Sequence, residues 1–197
     1  MIKLLQIILY NLLLIVLTLK IVSAERLAIL NWETKAPESL DSLSLSEDKG
    51  REEGIAIIEL DRNNKDYGKI LSNIPIDPEL ILHHIFYNQD LTKAYITALA
   101  GNNLYYIDLK DKVWRLYNIP VPMCKVQENI IFSNDNKRWW LTCMGSSNVI
   151  EGNAENNTII RVINIPNSYP HGITLNEDID RILVANCVAP DMSNAGK

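Results

Sequence analysis

Two histidines and a glutamate stand in one column of this chain. His83, Glu128 and His171 each lie four residues before an eleven-residue cassette that occurs three times. The cassettes are Tyr87–Thr97 (YNQDLTKAYIT), Phe132–Thr142 (FSNDNKRWWLT) and Leu175–Ala185 (LNEDIDRILVA), with starts 45 and then 43 residues apart. Two imidazoles and a carboxylate are donors suited to zinc, copper or iron. His84 lies beside His83, and Cys124 lies four residues before Glu128. If the cassettes mark successive modules around one axis, the three residues converge on one mouth as a metal or small-ligand site. The competing reading is that the histidines only satisfy backbone groups where modules join, with Glu128 solvated at a rim.

The elements that would position this column follow from the repeat. A second mark recurs in step, Asn-Ile-Pro at Asn73–Pro75, Asn118–Pro120 and Asn164–Pro166. A period near 45 with several short strands per unit is the signature of a β-propeller. The clearest unit reads as strands over 82–88, 93–99, 104–109 and 113–119. The next runs over 129–133, 138–144, 148–151 and 159–165. Before them come strands over 26–32, 54–61 and 67–74, and after them strands over 172–176 and 181–187. Proline ends pairing because it lacks the donor a ladder needs. The middle strands, such as Trp139-Trp140-Leu141 and Ile182-Leu183-Val184, are apolar on both faces, as strands sandwiched between sheets must be. Parallel α/β layering would need longer crossovers than these short polar gaps allow.

The expected fold is therefore an all-β, incomplete β-propeller of about three to four blades, over 25–78, 79–122, 123–168 and 169–197. Propellers close with about 4–8 blades. The chain stops inside a blade, so the expectation is a truncated form of a longer protein. Within each cassette, Asp90, Asp135 and Asp178 are expected to close the turn structurally, by accepting from amides two residues on. At the next position Asn136 tolerates a positive φ. Leu91 and Ile179 do not, so their turns are expected to use another geometry.

With 197 residues, 47% apolar and 22% charged, the chain can bury a core. A formal charge of −5 argues against nucleic acid. Lys3, the apolar run Leu4–Leu19 and small residues at Val22-Ser23-Ala24 read as a signal peptide cleaved after Ala24. The apolar stretch is short for a membrane span of about 20 residues, so a periplasmic or secreted protein without a stable span is expected. Residues 33–54 read as a long surface loop. Of three cysteines, Cys124, Cys143 and Cys187, at least one must stay unpaired. They read as small buried apolar residues, with a Cys143–Cys187 bridge as the alternative. No Cys-x-x-Cys-His exists, which excludes c-type haem, and no Cys-x-x-Cys supports a redox or zinc-ribbon site. Ser146 and Ser147 have no base or acid beside them, and no phosphate loop or nucleophile elbow is present, so no catalytic motif stands out. Asn156-Asn157-Thr158 fits a glycosylation sequon if the source is a eukaryote.

The cassette resembles the YVTN-type bacterial propellers, whose consensus runs Ser-Pro-Asp-Gly-Lys-Arg-Leu-Tyr-Val-Thr/Ala-Asn. Ser133-Asn134-Asp135-Asn136-Lys137-Arg138 and residues 178–186 match it in part. The glycine is replaced by Leu91, Asn136 and Ile179. Related groups are the selenium-binding-protein and haem d1-domain propellers, and the former carry a metal-ligating His/Glu set near such a mouth. The resemblance implies the fold over nearly all of 26–197 and leaves activity open. Two functions follow as expectations. The first is an exported scaffold presenting its mouth to a protein or small ligand. The alternative is an oxidoreductase-related propeller with a transition metal or cofactor held by His83, Glu128 and His171. A lactonase-type hydrolase ranks third.

Overall fold

A computed structural model describes residues 26–34, 52–111 and 113–187. The expected signal peptide, most of the expected 33–54 loop and the last ten residues lie outside them. Among the described residues thirteen strands form four antiparallel sheets, with two short 3₁₀ turns between strands. Sheet one holds β1 (Leu27–Glu33), β2 (Glu53–Glu59) and β3 (Ile70–Ile76). Sheet two holds β4 (Leu82–Tyr87), β5 (Lys93–Ala98), β6 (Asn103–Asp108) and β7 (Tyr117–Pro120). Sheet three holds β8 (Gln127–Phe132), β9 (Arg138–Cys143), β10 (Asn148–Asn153) and β11 (Ile159–Asn164). Sheet four holds β12 (Pro170–Asn176) and β13 (Arg181–Asn186). Within each sheet sequential strands are neighbours, the meander of a propeller blade. Among the described residues no helix is long and apolar enough to cross a membrane.

The strands form where the residues are apolar and β-branched, and the sheets stack because both faces of the middle strands are apolar. On β5, Ile96 packs with Ile55, Leu82 and Ile107 toward sheet one. Its neighbour Tyr95 packs with Phe132, Trp139 and Leu141 of sheet three. Side chains alternate across a strand, so one strand feeds two cores. Trp139 and Trp140 separate the same way. Trp139 joins the core against sheet two. Trp140 lines a cavity of about 450 Å³ against Leu175 and Ile182 of sheet four. Gly152 faces Trp139 across the ladder; a Cβ there would fall 1.9 Å from Trp139 Cζ2, so only glycine fits under the indole.

Three expectations are corrected. The Ile182-Leu183-Val184 strand is not buried on both faces: Leu183 is 70% exposed, because among the described residues no sheet covers the far side of sheet four. The cysteines pair as Cys124–Cys143, tying the approach to β8 to the end of β9, while Cys187 is exposed and free. A Cys143–Cys187 bridge is thereby excluded. Leu91 adopts a left-handed φ of 56°, the geometry Asn136 uses at 57°. The packed hairpin imposes it on leucine at a cost of about 1–2 kcal/mol. The third turn does use another geometry, its positive φ falling on Asp180 rather than on Ile179.

The turn aspartates share their work with a residue two positions earlier. Asn88 Oδ1 accepts from the amides of Thr92 and Lys93, and Ser133 Oγ accepts from Lys137 and Arg138. Asp135 Oδ1 accepts from the Lys137 amide at 3.0 Å and from the Ser133 hydroxyl at 2.6 Å. Asp90 accepts from the Thr92 hydroxyl at 2.7 Å. Those bonds hold both carboxyls below the usual carboxylate range, the hydroxyl bond from Thr92 or Ser133 contributing most. In the third turn Asn176 Oδ1 accepts from the Ile179 amide, so Asp178 is not the residue that closes it.

Candidate functional site

The three column residues sit at one structural irregularity repeated three times. Between Leu82 and Ile85 the β4–β5 register slips, so His83 and His84 together oppose Thr97. Between Gln127 and Ile130, Glu128 and Asn129 oppose Thr142. Between Pro170 and Ile173, His171 and Gly172 oppose Ala185. Each is a β-bulge, a device that re-aims side chains and leaves a backbone group without a ladder partner. The opposing threonine supplies the missing acceptor: the His84 amide donates to Thr97 Oγ1 at 3.1 Å, and the Asn129 amide to Thr142 Oγ1 at 3.0 Å.

The same hydroxyls reach across to the next sheet. Thr97 Oγ1 donates to the Glu128 carbonyl at 3.2 Å, and Thr142 Oγ1 to the His171 carbonyl at 2.6 Å. Asn31 of sheet one completes the series, its Nδ2 donating to the His83 carbonyl at 3.2 Å. All three site residues thus have their main chain tethered from the preceding sheet. Asn31, Thr97 and Thr142 were not singled out from the sequence. The signal was there for two of them, since threonine ends the first two cassettes.

Glu128 is the centre. Its side chain is 4% exposed, and its Oε2 stands 3.2 Å from His83 Nε2 and 3.3 Å from His171 Nε2. No well-aligned hydrogen bond reaches that oxygen despite the short separations. A buried carboxylate oxygen without one costs free energy that a bound cation would offset. Burial pushes the His83 imidazole below its ordinary pKa and His84 adds to this, outweighing the raising effect of the Glu128 carboxylate. At neutral pH His83 is therefore neutral, the form that ligates metals. His84 lies against it, ring centroids 3.8 Å apart, with Nδ1 3.2 Å from the Glu128 carbonyl oxygen. Among the described residues, the donors of His83, His84 and Glu128 lie within 4.8 Å of one another; His171 is not part of that group.

The column predicted from spacing is therefore brought together around Glu128, and the structure adds His84 to it. The bulge explains why spacing missed His84: in a regular strand, consecutive residues face opposite ways. Cys124 is removed from the donor candidates by its disulfide.

No protein-family profile matches the chain, and no curated protein matches it. Solved structures do. It is similar to the dihydro-heme d1 dehydrogenase NirN in complex with DHE, with 15% identity and a TM-score of 0.52, over 68% of this chain and 28% of that one. It is similar to the periplasmic gluconolactonase PpgL of Pseudomonas aeruginosa, with 13% identity and a TM-score of 0.51, over 68% and 44%. It is also similar to the virginiamycin B lyase of Staphylococcus aureus, with 19% identity and a TM-score of 0.50, over 84% and 61%. The chain spans less than two thirds of each of these neighbours. At such identities the likeness carries the fold alone. All three neighbours are β-propeller proteins, and the four meander sheets of this chain are an incomplete β-propeller.

Proposed function

We propose that this protein is an exported β-propeller module of the YVTN type that binds a divalent transition-metal ion at the bulges of its axial strands, around Glu128. The observation that carries the reading is the buried Glu128 Oε2, without a well-aligned hydrogen bond yet 3.2 Å and 3.3 Å from two imidazole nitrogens. Two donors on one tetrahedral zinc, each about 2.0–2.1 Å from it, stand about 3.3 Å apart. A carboxylate oxygen with imidazole nitrogens is a donor set suited to zinc, copper or iron. A metal with three protein donors keeps a position for an outside ligand, so binding at this mouth is the function and the ion its means. The Cys124–Cys143 bridge supports export, since disulfides persist in oxidising compartments.

Isothermal titration of the metal-free protein with Zn(II), and with Co(II) followed by visible absorption, tests this. The expected result is one ion per chain, with binding lost in Glu128→Gln. Binding by Glu128→Gln at the affinity of the unaltered protein, or no binding by either, overturns the reading.

A further inference from the structure

We propose that His84, not His171, completes the donor set with His83 and Glu128, and that His171 is a positioning residue that holds the carboxylate from its other flank. This rests on the metal reading above and specifies its ligands. The first ground is the donor geometry: His83, His84 and Glu128 have their donor atoms within 4.8 Å of one another. His171 approaches Glu128 Oε2 to 3.3 Å but is outside that group. The bulge that opposes His83 and His84 to one residue, Thr97, is what lets two consecutive side chains serve one site.

The second ground is the tautomer of His84. A carbonyl oxygen only accepts, so the contact of His84 Nδ1 with the Glu128 carbonyl at 3.2 Å requires Nδ1 to carry the hydrogen. The lone pair is then on Nε2. An imidazole that spends one N–H on a backbone carbonyl and keeps the other nitrogen free has the arrangement of a metal ligand with its outer-shell support. The carbonyl it uses belongs to Glu128, so the same residue supplies one donor through its carboxylate and orients a second through its backbone. Thr97 Oγ1 donates to that carbonyl as well, at 3.2 Å, and fixes its direction.

His171 has the other role. Its Nε2 faces Oε2, and its own main chain is held by Thr142. An imidazole at that distance limits the rotamers open to the carboxylate.

The test uses the whole chain and three variants, His84→Asn, His171→Gln and His171→Ala. Asparagine at position 84 keeps an N–H near the place of Nδ1 but has no counterpart of Nε2. Glutamine at position 171 keeps an N–H near the place of Nε2 without an imidazole. X-ray absorption of the Zn(II)-loaded protein counts imidazoles, and competition titration with a chromogenic chelator measures affinity. The expected count is two in the unaltered protein, one in His84→Asn and two in His171→Gln. Affinity falls at least about 100-fold in His84→Asn, about 10–100-fold in His171→Ala, and is largely restored in His171→Gln. An imidazole lost in His171→Gln and kept in His84→Asn overturns the assignment. Failure of the unaltered protein to bind Zn(II) ends the metal reading itself and this assignment with it, an outcome distinct from a swapped imidazole count. Thermal unfolding of each metal-free variant separates loss of a donor from loss of fold.

Discussion

Thr142 of one sheet donates its hydroxyl hydrogen to the carbonyl of His171 in the next, over 2.6 Å. The same oxygen accepts the Asn129 amide at 3.0 Å. A single hydroxyl therefore satisfies a bulge in its own sheet and anchors a site residue in another. Thr142 is fully buried, and the two groups it bonds belong to half-buried residues. Thr142→Val keeps the shape and removes both bonds. Unpaired buried groups cost about 1–3 kcal/mol, and chemical denaturation should show a loss in that range. Thr142→Ser should recover most of it. Unchanged stability in Thr142→Val beside a loss in Thr142→Ser would assign the effect to the methyl group instead.

Acid should weaken the metal-free fold through His83. Its folded pKa lies below the ordinary imidazole value, chiefly from burial and then from His84. The folded state thus binds fewer protons than the unfolded one. The stability this represents is present above the unfolded pKa of about 6.5 and is lost as pH falls from there through the folded value. Denaturant midpoints between pH 8 and 5 should fall on the acid side, and His83→Gln should flatten part of that slope. A midpoint rising as the pH drops below 6.5, reversed by the same substitution, would contradict it.

Leu91 is strained where Asn136 is not. Both are left-handed, at 56° and 57°, and Leu91 is 66% exposed, so its side chain gains little from packing. Leu91→Asn should stabilise the protein by about 1 kcal/mol, and Leu91→Gly by a similar or smaller amount, since glycine also loosens the unfolded chain. Differential scanning calorimetry reads the change. A lowered melting temperature in both variants would show that the turn depends on the leucine side chain.

The Cys124–Cys143 bridge closes a short loop, with 19 residues of sequence separation. Restriction of the unfolded chain by such a loop is worth about 3 kcal/mol. Both sulfurs are fully buried. Cys124→Ala/Cys143→Ala should lose about that amount, and the intact protein should resist mild reductant until it unfolds. Free-thiol counting under native and denaturing conditions distinguishes this from an unbridged pair.

Much of the architecture was readable from residues alone, and the reasons are local. Apolar β-branched runs such as Ile55-Ala56-Ile57-Ile58 and Lys93–Ala98 form the strands they predict. The cassette spacing placed His83, Glu128 and His171 at equivalent points because the repeat is in phase with the axis. What escaped depends on contacts between distant residues. His84 entered the site through a register slip that no pattern of alternation shows. Thr97 and Thr142 acquired their roles only when a neighbouring sheet brought a carbonyl to them. The cysteine pairing follows from Cys124 lying on the approach to β8, beside the end of β9, a proximity that spacing along the chain does not reveal. At Leu91 the closure of the hairpin overrode a local preference of a kilocalorie or so.

The hydroxyl links also redefine what counts as one repeat. By hydrogen bonding sheets two and three are each four consecutive strands, but the second strand of each anchors the first strand of its successor. A segment excised at the sheet boundary would carry Glu128 without Thr97, or His171 without Thr142, and lose the hold on the residue of interest. The smallest transplantable unit straddles two blades, so engineering by whole-blade exchange would have to move neighbours in pairs.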